Sequence, residues 1–334
     1  MTVKTPLGWL ADRYTLSPRS LRWASTASLV VSVLIVLGGG IVRVTGSGLG
    51  CPTWPTCDTT SLTPTPAMGI HAVIEFSNRM LTVVLCIAVA WVIIAARLQK
   101  PRARSITRLA WSQFWLVVVN AVAGGVSVWT GLNPYVVAFH FVMAMGLLTT
   151  TTLTWHRVHE AAVSKDALAR ITPPARVFSW VLAVLTAVLI VVGTLVSGSG
   201  PHSGDTVEVP RMAFDWVDIT IVHGVLGTVT LVVAIVLGVV LWRSSAITPL
   251  RRTAMFVGVV VVQAAVGLAQ SLTALPSLLV AIHLLLAALV WVGVLRVLLD
   301  VNPGLFPSVH MATAERAVNA DRAKSTAPLP ERAN

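Results

Sequence analysis

A histidine, a glutamate, an asparagine and an arginine interrupt the largely apolar stretch GIHAVIEFSNRM at residues 69–80. His71, Glu75 and Arg79 follow one another at intervals of four and Asn78 lies seven residues after His71, so a helix would place all of them on one face. A carboxylate in an apolar segment must be protonated, paired or placed to accept a proton. Two interpretations follow: a structural ion pair between Glu75 and Arg79, or a proton acceptor, Glu75, beside a reactive group.

Three more histidines each lie about six residues after the start of an apolar run: His140, His223 and His283. At 1.5 Å per helical residue they would be roughly 9 Å deep in a bilayer, where a polar side chain requires a partner. Zinc usually needs a third ligand, and no further His or Cys lies at this depth near His223 and His283. Two facing imidazoles instead suit the axial positions of a haem. The alternative is a histidine bonded to a neighbouring helix.

Two arginines and two cysteines lie near the same membrane surface. Arg43 and Arg79 could pair with haem propionates, although Arg43 could equally extend to the interface. Cys51 and Cys57 share the segment CPTWPTC. They could form a structural disulfide that shapes the loop, or a redox-active pair that exchanges electrons with a neighbouring site.

The elements that must position these residues are membrane helices. The chain of 334 residues is 55% hydrophobic and only 11% charged, whereas a soluble domain carries about a quarter charged residues. Runs long enough to cross a bilayer recur along the chain. The sequence therefore predicts an all-α polytopic membrane protein with eight spans, at 21–43, 68–96, 108–130, 134–155, 176–198, 217–242, 251–272 and 277–299.

The net charge is +11, and the positions of the basic residues indicate the orientation. Basic residues cluster in the N-terminal segment, after every second span and in the C-terminal tail, whereas the opposite loop 199–217 holds Asp205, Glu208 and Asp215. The excess of Lys and Arg marks the cytoplasmic side, so we expect both termini there and the candidate haem sites toward the outer face. The basic charge therefore indicates topology and not nucleic-acid binding.

An internal repeat divides the spans into two pseudo-symmetric four-helix halves. TGSGLG at 45–50 resembles LVSGSG at 195–200, and Asn120 precedes His140 by the same twenty residues that separate Gln263 from His283. Aligning NRMLTVV at 78–84 with HGVLGTV at 223–229 matches Asn78 to His223. We therefore predict a cytoplasmic segment 1–20, an N-terminal half 21–155, a linker 156–175, a C-terminal half 176–299 and a disordered tail 300–334.

Five segments together resemble haem A synthase, in its bacterial form with a cysteine pair: VRVTGSGLGCPTWPTC, IEFSNR, NPYVVAFH, VHGVLG and PSLLVAIHLLLAALVW. The resemblance covers residues 25–299. It implies an enzyme of the bacterial plasma membrane with one half binding haem b and the other the substrate haem O. Such an enzyme oxidises the C8 methyl group of haem O to a formyl group by successive hydroxylations with water-derived oxygen. The product, haem A, goes to cytochrome oxidase.

The resemblance also implies roles for single residues. His223 and His283 would be the axial ligands of haem b, His140 would ligate the substrate haem, and Glu75 would be the essential carboxylate. Cys51 and Cys57 would be the outer-loop pair.

The chain departs from the family pattern at two places. The family commonly has E-x-x-H in its second helix, and here Asn78 stands at the histidine position. Either His140 holds haem O alone, which we favour, or His71 supplies the second bond. The second outer loop, GPHSGDTVEVPRMAFDW, has no cysteine, so only one outer disulfide is expected.

Two rival functions are a di-haem b membrane electron-transfer subunit and a haem transporter or chaperone. The first predicts two bis-histidine sites and no carboxylate, and the second does not need a firmly ligated haem. A synthase would work with haem O, haem A, membrane lipid and an electron acceptor that the sequence leaves unspecified. Haem O synthase and cytochrome oxidase assembly factors are further candidate partners.

Overall fold

The computed structural model describes residues 5–102, 104–160, 164–202, 204–206 and 208–305. Within these residues the regular secondary structure is α-helical, apart from a 3-10 turn at Pro66–Met68 and one isolated bridge between Ser47 and Asp205, and loops connect the helices. The α-helices are α1 (Pro6–Arg13), α2 (Pro18–Val44), α3 (Gly69–Arg97), α4 (Arg104–Trp129), α5 (Pro134–His159), α6 (Lys165–Ala169), α7 (Pro173–Ser199), α8 (Trp216–Arg243), α9 (Ile247–Leu272) and α10 (Ser277–Val301).

Eight of the described helices, α2–α5 and α7–α10, are long and apolar enough to cross a membrane. Their outward faces carry exposed apolar side chains such as Ile87 and Leu268, as expected where helices meet lipid. The predicted all-α, eight-span architecture is therefore confirmed, and the chain is a multi-pass membrane protein.

The helix ends differ from the predicted spans by several residues. Proline at the first helical position starts α2, α5 and α7, because its fixed φ suits a position where no donor is needed. The predicted N-terminal segment contains α1. The predicted linker contains the end of α5 and the short helix α6. Residues 1–4 and the predicted disordered tail beyond residue 305 lie outside the described residues.

The spans pack as two rings of four. In the first half α2, α3, α4 and α5 each pack on the next and α5 returns to α2; α7, α8, α9 and α10 do the same in the second half. Between the halves, α2 packs on α10, α5 on α7 and α5 on α10. If the halves are exchanged, α2 corresponds to α7 and α5 to α10. The contact of α2 with α10 then corresponds to that of α7 with α5, and the contact of α5 with α10 corresponds to itself. This packing fits the predicted repeat.

The turns after α4 and α9 repeat the same backbone conformation. Gly131 and Leu132 have φ of 58° and 59°, and Ala274 and Leu275 have φ of 56° and 58°. Two successive left-handed residues are uncommon outside glycine. Their recurrence at matched positions places α5 and α10 equivalently in their halves.

Contacts at both ends of the bundle join the halves. At the end predicted to face outward, the N–H of Gly48 donates to the carbonyl of Gly204 at 2.8 Å, and the N–H of Leu49 donates to Oδ2 of Asp205 at 3.0 Å. The first outer loop is thereby attached to the second.

At the opposite end of the bundle, which is predicted to be cytoplasmic, an ion-pair cluster connects α5, α9 and α10. Arg252 contacts Oε1 of Glu160 at 2.6 Å and Oδ2 of Asp300 at 2.8 Å, and Arg296 lies 3.5 Å from Glu160.

Candidate functional site

The second half brings two predicted ligands face to face. His223 lies on α8 and His283 on α10, two helices that stand diagonally across the four-helix ring. The centroids of their imidazoles are 6.4 Å apart, and the imidazole planes are inclined by 56°. A ligating nitrogen lies about 2 Å from its metal and about 1 Å from the centre of its own ring, so two imidazoles on one metal have centroids roughly 6 Å apart. The observed separation fits a single metal ion between the rings.

The donor set fits the axial positions of a haem better than an isolated metal ion. Within the described ranges, no group of three or more His, Cys, Asp or Glu side chains gathers as a metal site, whereas zinc usually takes four ligands. Nδ1 of His283 is shielded from solvent and has no hydrogen-bond partner among the described residues. Two imidazoles between apolar helices match bis-histidine haem ligation.

The first half offers one imidazole at the equivalent level. His140 lies on α5, and Asn78 lies on α3, diagonally across the ring. Asn78 packs against Gly38 of α2, and its Oδ1 is buried without a hydrogen-bond partner in the part of the chain that the structure describes. An amide therefore stands where the second half has His223.

Glu75 is held on both oxygens by its own chain. Its side chain is buried, with 6% of the residue exposed. The N–H of Cys51 donates to Oε2 at 2.7 Å, and Arg79 donates to Oε1 through Nε at 3.1 Å and Nη2 at 2.5 Å. Such charge-assisted bonds fix the orientation of the carboxyl group.

Arg79 holds the first outer loop. Its Nη2 donates to the carbonyls of Cys51 at 3.3 Å and Thr53 at 3.1 Å, and its Nη1 donates to Thr56 at 3.0 Å and Pro55 at 3.5 Å. A guanidinium has five N–H donors, and these partners together with Glu75 occupy them. The structure thus gives Arg79 partners other than the propionates for which it was a candidate.

The first outer loop covers the first half. Cys51 and Cys57 form the predicted disulfide, which is confirmed, and neither residue is exposed. The ring of Trp54 lies against Gly125 of α4, where a Cβ would come within 2.5 Å of it, and packs edge-on against Trp129 with centroids 5.4 Å apart. Gly125 follows the glycine that contacts His140, so Trp54 packs on α4 next to this site.

The remaining polar candidates have separate partners. Nδ1 of His71 shares a hydrogen bond with the hydroxyl of Ser47 at 3.0 Å. Nη2 of Arg43 donates to the carbonyl of Ser197 at 2.6 Å, while its buried Nε finds no partner within the described residues. The polar stripe of α3 therefore contacts the outer loop and α2.

Sequence reasoning missed the glycines beneath the ligands. Gly124, Gly193 and Gly267 each lie against an imidazole of the next span. A signal was present, because Gly124 and Gly267 both stand sixteen residues before their histidine.

Comparison with known proteins gives the family. Residues 22–295 match the COX15-CtaA family, described as cytochrome oxidase assembly protein. The chain belongs to this family. Similar COX15-CtaA relatives carry the name "Heme A synthase". The protein of Staphylococcus epidermidis is 29% identical over 214 residues, which cover 60% of this chain and 68% of the relative. That of Staphylococcus saprophyticus is 26% identical over 216 residues, covering 61% and 70%. That of Lysinibacillus sphaericus is 31% identical over 128 residues, covering 38% and 41%.

Proposed function

We propose that this protein is a haem A synthase, an oxidoreductase that converts the C8 methyl group of haem O to the formyl group of haem A. The observation that carries the proposal is the unequal pair of sites. One half holds two facing imidazoles, and the other holds one imidazole and a buried carboxylate beneath an outer loop. The names of the relatives support the same activity.

His223 and His283 would hold haem b in the second half. Their centroid separation and apolar surroundings suit two axial ligands. Haem b would supply one-electron transfer between the substrate site and an external acceptor. Two protein ligands, where the first half offers one, favour a cofactor that stays bound.

His140 would bind the iron of the substrate, haem O. Asn78 occupies the opposite position with an amide, which is a poor iron ligand, and His71 is engaged by Ser47 nearer the outer surface. We therefore propose a substrate haem held by one protein ligand. A single firm bond suits a haem that must enter and leave.

Glu75 would accept protons released by the reaction. Each hydroxylation of the methyl carbon by water forms a C–O bond and releases protons and electrons, and loss of water from the doubly hydroxylated carbon leaves the formyl group. The carboxylate has fixed donors from Cys51 and Arg79, so its orientation is preorganised. The electrons would leave through the second half.

The outer surface would receive the haem propionates. Arg43 retains a buried, unpartnered Nε in the described structure, near the junction of the halves, and is the remaining candidate for such a contact. This orientation, with both termini cytoplasmic, rests on the distribution of basic residues.

Haem O synthase is a proposed partner because it produces the substrate, and assembly factors of cytochrome oxidase would receive the product. Co-purification of the two synthases in mild detergent would support direct transfer, and clean separation at low salt would argue against it.

The activity is tested in a host that makes haem O and lacks its own synthase. Haems are extracted from membranes that contain wild type, Glu75→Gln or the exposed outer-loop control Glu208→Gln. Wild type and the control should give haem A, whereas Glu75→Gln should leave haem O or a hydroxylated intermediate with haem b retained. A wild type that carries haem b and forms no haem A would favour the electron-transfer subunit.

A further inference from the structure

Each histidine of the two sites lies edge-on against a glycine of the preceding span. A Cβ built on Gly193 would lie 3.1 Å from Cε1 of His223, and one on Gly267 would lie 3.2 Å from Cε1 of His283. Both distances are shorter than ordinary van der Waals contact. No side chain larger than hydrogen fits there unless the imidazole moves.

The first half repeats the contact. A Cβ on Gly124 would lie 3.0 Å from Cε1 of His140, and Gly38 stands in the same relation to Asn78. The spacing of sixteen residues links Gly124 to His140 and Gly267 to His283. Four helix pairs thus present the same arrangement, one glycine beside one imidazole or amide.

The glycines contact one particular edge of each imidazole. For His223 the distances from the Gly193 position rise from 3.1 Å at Cε1 to 3.6 Å at Nδ1 and 4.0 Å at Nε2. His140 shows the same order against Gly124, with 3.0, 3.5 and 3.9 Å. The neighbouring helix therefore supports the Cε1–Nδ1 edge and leaves Nε2 the more open nitrogen.

Such a close approach is not general among the glycines of the spans. Gly39, the neighbour of Gly38 in α2, and Gly258, in the same helix as Gly267, would place a Cβ with no heavy atom of the described chain within 4 Å. Glycine in a helix costs roughly 0.5–1 kcal/mol relative to alanine, so general helix formation does not explain the glycines at the contact positions.

We propose that Gly124, Gly193 and Gly267 are positioning residues that set the rotation and depth of the histidine rings, so that Nε2 of each faces the interior of its ring of helices. The inference rests on the proposed function, because it takes haem iron to be the metal that those nitrogens bind. Gly38 keeps equivalent room beneath Asn78, where the first half carries no imidazole.

The test in the second half uses the full-length protein purified with its haem. Gly193→Ala and Gly267→Ala should shift the low-spin electron paramagnetic resonance signal and the midpoint potential of haem b, because a methyl group turns or displaces the axial imidazole. Gly267→Val should weaken haem b binding by about tenfold. Gly258→Ala, the matched control in the same helix, should reproduce the wild-type signal, potential and haem content.

Two results would overturn the inference: unchanged signals and potentials in both alanine variants, or an equal change in Gly258→Ala. A wild-type protein without haem b would instead contradict the proposed function, so the two failures are distinguishable.

The first half supplies an independent arm. Gly124→Ala should raise the KM for haem O and leave the haem b signal unchanged, whereas Gly39→Ala should alter neither. An unchanged KM in Gly124→Ala, or a change confined to the haem b signal, would contradict the assignment of Gly124 to His140.

Discussion

At the scale of single residues, the structure shows one of the two roles that the sequence left open for Glu75. It forms the i,i+4 ion pair with Arg79, and its second oxygen accepts the Cys51 N–H. An ion pair holds a carboxylate in one orientation, and a proton acceptor requires such an orientation. The pairing therefore fixes the orientation that the proposed role in proton transfer would use.

Asn78→His should convert the substrate site to two imidazoles. Gly38 leaves beside residue 78 the kind of room that Gly193 leaves beside His223. We expect the haem O-loaded variant to show a low-spin, six-coordinate spectrum and slower release of haem A than wild type. Optical and paramagnetic resonance spectra of the loaded protein would measure this.

The control for that substitution is Ser77→His, at the adjacent exposed position of α3. A low-spin signal in the control, or an unchanged spectrum in Asn78→His, would contradict the geometry proposed for the first half.

At the scale of elements, the first outer loop depends on one side chain from α3. Arg79 donates to four carbonyls of residues 51–56 and to Glu75. Hydrogen bonds to charged groups contribute about 1.5–3 kcal/mol each when they are desolvated. Loss of the guanidinium should therefore open the loop and expose the buried disulfide.

Arg79→Met should make the Cys51–Cys57 disulfide accessible to a water-soluble phosphine. We expect reduction at least about tenfold faster than in wild type, since local opening becomes less costly. Arg79→Lys should be intermediate, and the exposed outer-side control Arg211→Met should match wild type. Alkylation followed by mass spectrometry measures the rate; equal rates for Arg79→Met and Arg211→Met would refute the tether.

The turn after α9 contains a strained alanine. Ala274 is exposed and has φ of 56°, where the matched turn in the first half has Gly131. A left-handed non-glycine residue costs about 1–2 kcal/mol, partly offset by the greater unfolded-state entropy of glycine. Ala274→Gly should therefore stabilise the protein by about 0.5–1 kcal/mol.

A thermal melt in detergent would show this as a raised midpoint. Ala264→Gly, at an exposed position well inside the length of α9, should lower the midpoint instead, because glycine weakens a helix. If both substitutions lower it, the strain at Ala274 does not limit stability.

The sequence predicts these elements unevenly. Eight helices follow from apolar length, and the facing of His223 and His283 follows from the repeat. The partners of Arg79 did not follow, because backbone carbonyls of a loop carry no residue-specific signal. The glycines beneath the histidines were missed for a related reason: their role lies in a contact between helices, which periodicity along one helix does not contain.

At the scale of the whole molecule, the halves are joined near both surfaces. The outer connection uses backbone groups of Gly48 and Leu49, and the inner one uses Glu160, Arg252 and Asp300. Because α5 and α10 carry His140 and His283 and also pack on each other, these connections fix the distance between the two candidate haem sites.

Glu160→Gln should weaken the inner connection in a pH-dependent way. Burial raises the pKa of Glu160, but the hydrogen bond and charge of Arg252, helped by His156 and Arg296, outweigh it and leave the pKa below its usual value. A lowered folded-state pKa stabilises the protein above the ordinary glutamate pKa of about 4.3, and this stabilisation is lost as pH falls through the folded-state value.

We expect Glu160→Gln to lose about 1–2 kcal/mol at pH 7, with the difference from wild type shrinking below about pH 4. Thermal midpoints measured across this range would test it, with the substitution Asp166→Asn at an exposed position of α6 as control. A difference that does not depend on pH would argue against the ion pair.

The division of labour between the halves is the central claim, and the haem content of two purified variants tests it most directly. When purified from a host that makes haem b and haem O, His223→Ala should lack haem b. His140→Ala should keep haem b with its wild-type spectrum and should lack bound haem O and haem A. Loss of haem b from both variants, or retention of haem O by His140→Ala, would contradict the assignment of one haem to each half.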